Sequence, residues 1–298
     1  MEMHILSSAD EQANHFNEFV KSLAQKFQPL QVFCFAKKCI LNETDGCFLN
    51  QHISHHGQYC LLVVTETSTR IDHEVQNFAN AHFKSGVVTI LCHGQESISE
   101  AIKANNRFFM TVYTIGQLLY SHDGMIQFKF SQRFIPTQSA KKAKKHFAQR
   151  MSLANGFLRG AAECLANQDF NISTFMLHQV IEQSCIVLIK VHMAYRSEIH
   201  NLNRLLNLCK CFSDKPYQML LSGSSEDERL FDILIKSYSE ARYGDHFSVD
   251  ENDAQQLYDK VTSFVALTNT MCKEKIQKLE NEAVLYRNIP QESEVIHG

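Results

Sequence analysis

The chain has few glycines, little net charge and no long apolar run. Its 11 glycines in 298 residues fall in none of the spacings that cradle phosphate in kinases, P-loop enzymes or dinucleotide folds, and no Gly-x-Ser-x-Gly elbow is present. The sequence motifs of those enzyme classes are therefore missing. Formal net charge is only -3, so no global field draws the chain to nucleic acid or to an anionic membrane, and any polyanion site must be local. No window approaches the roughly 18 apolar residues of a membrane span, and Met1 to Gln12 has no basic flank followed by an apolar core. Ile186 to Ile189 is apolar but bracketed by Glu182 and Lys190, the pattern of a buried helix. These absences predict a cytoplasmic protein with no membrane partner.

What is present is ordinary globular composition, 44% hydrophobic and 20% charged, over a length sufficient for two modest cores. The 10 cysteines are scattered through apolar stretches without a small-domain disulfide spacing, so they read as reduced core residues.

The two halves differ in pattern. Ser8 and Glu11 make a capping-box signature opening a helix through Val20, Leu23 and Phe27 that stops before Pro29. Leu30 to Phe35, Tyr59 to Val64 and Val87 to Cys92 are short β-rich runs, with helices predicted at about Thr69 to Phe83 and Glu96 to Ala104. Residues 1–131 therefore read as an α/β domain with a mixed sheet. From Ser139 the strand signal disappears. Helices are predicted at about Ala140 to Ala166, Ile172 to Tyr195, Asn201 to Phe212, Ser225 to Arg242 and Asp250 to Leu285, making residues 139–285 a helical bundle and 286–298 a flexible tail.

The hexapeptide Ala241-Arg242-Tyr243-Gly244-Asp245-His246 closes one of these helices. Arginine presents a planar fork of donors to phosphate oxygens, and histidine moves a proton near neutral pH, so the pair suits a phosphodiester without metal. Arg242 can stabilise charge on phosphorus while His246 deprotonates a 2'-hydroxyl or protonates a leaving oxygen. The bland alternative is a cation capping a helix C-terminus, with Gly244 as the left-handed stop. Tyr243 either stacks on a base or packs into the bundle.

Three stretches in order, Phe175-Met-Leu-His178-Gln179-Val-Ile-Glu182-Gln183, then His200-Asn-Leu202 with Leu205-Leu206, then Tyr238 with Ala241-Arg242-Tyr243, resemble HEPN domains. The resemblance implies a helical bundle that pairs as a homodimer and that binds a nucleotide or single-stranded RNA, or cleaves RNA without metal. In the ribonuclease members the gap between arginine and histidine is longer and begins with a polar residue. Here three residues separate Arg242 from His246 and the first is Tyr243, which points to the binding branch. Val32 to Lys37 and Tyr59 to Val64 resemble landmarks of the DNA polymerase beta-like nucleotidyltransferase fold. An active member would carry Gly-Ser where Ala36-Lys37 stands and metal-binding aspartates at Gln58 and Cys60, and Gln and Cys cannot replace carboxylates around magnesium. The resemblance thus implies a domain that keeps the fold and has lost the chemistry. Such pairings occur in toxin-antitoxin and stress-response systems.

Other clusters carry weaker chemistry. His178 and Glu182, four residues apart, share a helix face. His200 closes a turn or lines the same cleft as Arg242. His52, His55, His56 and Cys60 have transition-metal residue types in a predicted loop, but no completing pair, and Cys209 and Cys211 point to different helix faces. No metal and no cofactor is expected. Lys141, Lys142, Lys144, Lys145 and His146 open a helix at the end that disfavours cations, so they form a solvated face or attract a phosphate backbone or acidic partner. The reading is a nucleotide- or RNA-binding protein with Arg242, Tyr243, His246 and His200 at the ligand. The alternatives are an endoribonuclease using Arg242 and His246, and an interaction scaffold without ligand.

Overall fold

The computed structural model describes residues 2–46, 49–67, 71–124, 133–243 and 247–288, with side chains except at 2–12, 40–46, 49–55 and 242–243. The chain divides into two compact units, Met1–Phe134 and Ile135–Gly298.

In the first unit, helix α1 (Glu2–Phe27) begins before the predicted Ser8 cap, because no breaker interrupts the preceding residues. Phe16, Phe19, Val20 and Leu23 recur at helical spacing and are buried. Strands β1 (Gln31–Gly46) and β2 (Leu49–Thr65) form a long antiparallel hairpin, and helix α2 (Asp72–His82) crosses to β3 (Gly86–Gly94), which runs parallel to β2. Helices α3 (Gln95–Lys103) and α4 (Arg107–Ile115) lead to β4 (Gln117–Ser121), antiparallel to β1, giving the order β3-β2-β1-β4. This is the expected mixed sheet with helices. Tyr59, Leu61, Val63 and Ile90 pack into one core with α1 and α2. On the other face Phe33 meets Tyr113 and Phe35 meets Phe108 of α4. Both faces are covered, which is why the strands read as apolar runs rather than alternation.

The free edge of β3 is satisfied from α2. Gln76 donates to the Val88 carbonyl at 2.8 Å and accepts from the Ile90 N–H at 3.0 Å, while Asp72 accepts from Cys92 N–H at 3.0 Å. Helical side chains stand in for a neighbouring strand and block edge-to-edge pairing.

In the second unit a 3-10 turn at Pro136–Gln138 precedes α5 (Ser139–Ala166), α6 (Phe170–Met193), α7 (Leu202–Cys209), α8 (Lys215–Leu220), α9 (Ser225–Tyr243) and α10 (Glu251–Asn288). Helix α6 is the central element, with Leu177, Ile181, Leu188 and Ile189 fully buried. It is long and apolar enough to cross a membrane, but 78% of its most apolar window is buried inside the bundle. Helix α10 continues to Asn288.

Helix α4, strand β4 and helix α8 were not legible in the sequence. Phe108 to Tyr113 reads equally as a buried strand, but Asn106 caps it as a helix by accepting the Phe108 N–H at 3.0 Å. Pro216 lies in the first turn of α8, where its missing N–H is harmless. The nine described cysteines are free thiols. Burial pushes Cys34 up to about 11 and Cys272 up to about 12, so these sulfurs are apolar core atoms rather than nucleophiles.

Candidate functional site

Helix α9 packs against α6. Ser237 Oγ reaches the Thr174 carbonyl at 3.3 Å, and the Tyr238 ring lies 4.9 Å from that of His178. The backbone of Arg242 and Tyr243 forms the last turn of α9. The side chains of Arg242 and Tyr243, and the whole of His246, lie outside the described residues.

The chain beyond them is held firmly. Asn171, in the first turn of α6, donates from Nδ2 to the Phe247 carbonyl at 2.8 Å and accepts the Val249 N–H on Oδ1 at 2.9 Å. Asp250 then caps α10 by accepting the Asp253 N–H at 2.8 Å. Arg229 of α9 forms a two-pronged ion pair with Asp253, at 2.7 Å and 2.5 Å, and this partner holds the Asp253 carboxyl below its ordinary range. The chain from Phe247 to Asp253 is thus tied to α6 through Asn171 and to α9 through Arg229. At the same end of the bundle a cavity of about 410 Å³ is lined by Leu165, Phe170, Glu251, Gln255 and Tyr258 among others.

A polar stripe continues along α6. His178 and Glu182 are buried, at 3% and 4% exposure, on one face as predicted. His178 packs against Tyr238 with the rings tilted by 32°, whereas Glu182 Oε1 pairs with His200 Nδ1 at 3.1 Å. Arg150 Nη1 donates to Gln183 Oε1 at 2.6 Å, and Gln183 Nε2 approaches Glu182 Oε1 at 3.5 Å. Among the described residues Glu182 Oε2 is buried with no hydrogen-bond partner. A half-satisfied buried carboxylate disfavours stability, so it stands out in an otherwise apolar helix. His200 is therefore placed on this stripe, roughly 16 Å along α6 from Asn171 by helical rise.

The other predicted clusters resolve differently. His52 to His56 belong to strand β2, not to a loop, because the backbone ladder with β1 carries polar residues as readily as apolar ones. Ala36 faces Cys60 and Lys38 faces Gln58 in that same ladder. Among the described residues no three His, Cys, Asp or Glu side chains converge as a metal cluster. Cys211 lies beyond the end of α7, whereas Cys209 is buried within it. The lysine run opens α5, which has no side-chain cap, and Lys144 pairs with Glu280 of α10.

Sequence reasoning missed Asn171 and the Arg150–Gln183 bond. The only signal for Asn171 is an amide in the first turn of a helix that is otherwise mostly apolar. No curated protein matches the chain. Residues 148–271 match the family description HEPN domain, a span that begins within α5, ends within α10 and contains His178, Glu182, His200, Arg242 and His246, so the centre of the helical unit is similar to that family.

Proposed function

We propose that the helical unit binds a nucleotide or single-stranded RNA at the end of the bundle where α9 closes. The carrying observation is the hold of Asn171 on Phe247 and Val249, which fixes the chain just after His246 inside the stretch similar to HEPN domains. Arg242 would take the phosphate, His246 a hydrogen bond to ribose or phosphate, and Tyr243 and His200 lesser contacts. The short gap between Arg242 and His246 favours binding over cutting. Pairing of two copies through the helical unit belongs to the same proposal and is read by sedimentation equilibrium. The first unit is proposed as a nucleotidyltransferase-like domain without its metal chemistry. Ala36 and Lys37 in place of Gly-Ser, and Gln58 and Cys60 in place of the metal-binding aspartates, support this.

The test is a thermal shift with nucleotides and short RNAs. A ligand that binds only the folded state must raise Tm, so wild type should be stabilised and Arg242→Ala should not. The second reading, metal-independent cleavage, rests on the same arginine and histidine. It requires single-stranded RNA to be cut in EDTA and to survive in Arg242→Ala and His246→Ala; intact RNA with wild type rejects it.

A further inference from the structure

Five basic side chains gather at the opposite end of the bundle. Lys142, His146 and Arg150 repeat every fourth residue along α5, a single face about 12 Å long. The Arg150–Gln183 hydrogen bond fixes this face against α6. Seven residues further on, that side of α6 presents Lys190, whose ammonium donates to the Ala194 carbonyl at 3.1 Å. Arg196 lies three residues beyond the end of α6. Among the described residues, no ion pair is made by Lys142, Arg150, Lys190 or Arg196, although the chain as a whole is slightly acidic.

The local field is correspondingly one-sided. Burial, then the charges of Lys190, Arg150 and Arg196, lowers His146 to about 4, so its ring is neutral at pH 7. Burial, then Arg196 and Lys142, lowers Lys190. Among the described residues neither group forms an ion pair with a carboxylate. Among the described residues His146 Nε2 is also buried without a hydrogen-bond partner, leaving a polar atom unsatisfied within the cluster. A fold that gathers unneutralised cations around an orphaned imidazole nitrogen is disfavoured unless an anion joins it. The α5 N-terminus, which has no acidic residue in its first turn, adds to the same potential.

We propose that Lys142, His146, Arg150, Lys190 and Arg196 form a second binding surface for the phosphodiester backbone of single-stranded RNA. This rests on the RNA reading of the helical unit and narrows its ligand from nucleotide to strand. A face about 12 Å long suits successive phosphates rather than one oxyanion, and Lys190 lies about 28 Å along α6 from Asn171. A strand reaching both ends must run the length of the bundle, which a mononucleotide cannot do.

The test uses the full chain and a fluorescein-labelled 20-residue oligouridylate, titrated by anisotropy at several salt concentrations. Lys142→Glu with Arg196→Glu changes two exposed side chains, and a circular dichroism melt checks the fold. Lys273→Glu with Lys278→Glu, also exposed, makes the same change in charge elsewhere. The first pair should weaken RNA binding at least tenfold and flatten the salt slope by about 1.4, from two lost contacts on a single strand. The control pair should change affinity less than twofold. Equal weakening by both pairs, or none by the first, overturns the proposal, as does tight binding of inorganic polyphosphate with no binding of RNA. Loss of RNA binding in Arg242→Ala but not in Lys142→Glu with Arg196→Glu leaves the α9 site standing and removes this one. The reverse result does the opposite.

Discussion

Asn171 is tied to Val249 by a hydrogen bond of 2.9 Å that, with the companion bond to Phe247, fastens the chain after the hexapeptide to the start of α6. The amide uses both its donor and its acceptor, so neither aspartate nor leucine can replace it. Asn171→Ala should lower stability by about 1 to 2 kcal/mol and weaken ligand binding without removing a ligand contact. Asn171→Asp keeps the bond to Val249 but sets a carboxylate against the Phe247 carbonyl, so its binding should fall between the two. Equal affinity in all three proteins would remove Asn171 as a positioning residue.

The Glu182–His200 pair predicts an asymmetry. Its carboxylate is buried while His200 is largely exposed, so the partners differ in how they survive alone. His200→Ala strands the carboxylate and should cost about 1 to 3 kcal/mol. Glu182→Met removes the buried charge and leaves a histidine that water can solvate, so it should be neutral or stabilising. Chemical denaturation of both variants decides this. A Glu182→Met protein less stable than His200→Ala would contradict the burial argument.

His146 predicts an acid response. Its folded pKa, about 4, lies below the ordinary 6.5, so the unfolded chain takes up the proton first as pH falls. The group therefore favours unfolding progressively from about pH 6.5 down to about 4 and adds no further slope below that. The cationic neighbours Lys190, Arg150 and Arg196 cause it together with burial. His146→Gln should flatten the dependence of Tm on pH in that window, and phosphate-backbone ligands should raise the His146 pKa seen by NMR. An unchanged pH profile in the variant would refute the assignment.

Gln76 predicts a backbone penalty in the first unit. Gln76→Leu removes the bonds to the Val88 carbonyl and the Ile90 N–H, and should cost about 2 to 4 kcal/mol. It also bares the β3 edge, so concentration-dependent association should accompany the lower Tm. Full stability in that variant would show that water or relaxation replaces the glutamine.

Much of this architecture could be read from periodicity. Leu23, Leu61 and Ile90 lie in runs whose burial follows from spacing alone, as do the long helices around Ile181 and Phe264. Lys37 to Gly46 could not be read this way, because a hairpin ladder is held by backbone bonds that a polar sequence does not announce. The same holds for His52 to His56. The site is legible only in part: Arg242 and His246 stand together in the sequence, whereas Asn171 and Val249 are brought together from 78 positions apart. The cationic cluster was half visible as a lysine run. Its other half, Lys190 and Arg196, joins it through the α5–α6 hairpin, which pairs residues that no local pattern connects.

The most direct measurement is fluorescence anisotropy of labelled single-stranded RNA with the full-length chain, in EDTA, comparing wild type with Arg242→Ala and His246→Ala. Saturable binding by wild type, weakened at least tenfold in Arg242→Ala with the circular dichroism melt unchanged, is the predicted result. Equal affinity in wild type and Arg242→Ala, or no binding of RNA or nucleotide by wild type, would contradict the account.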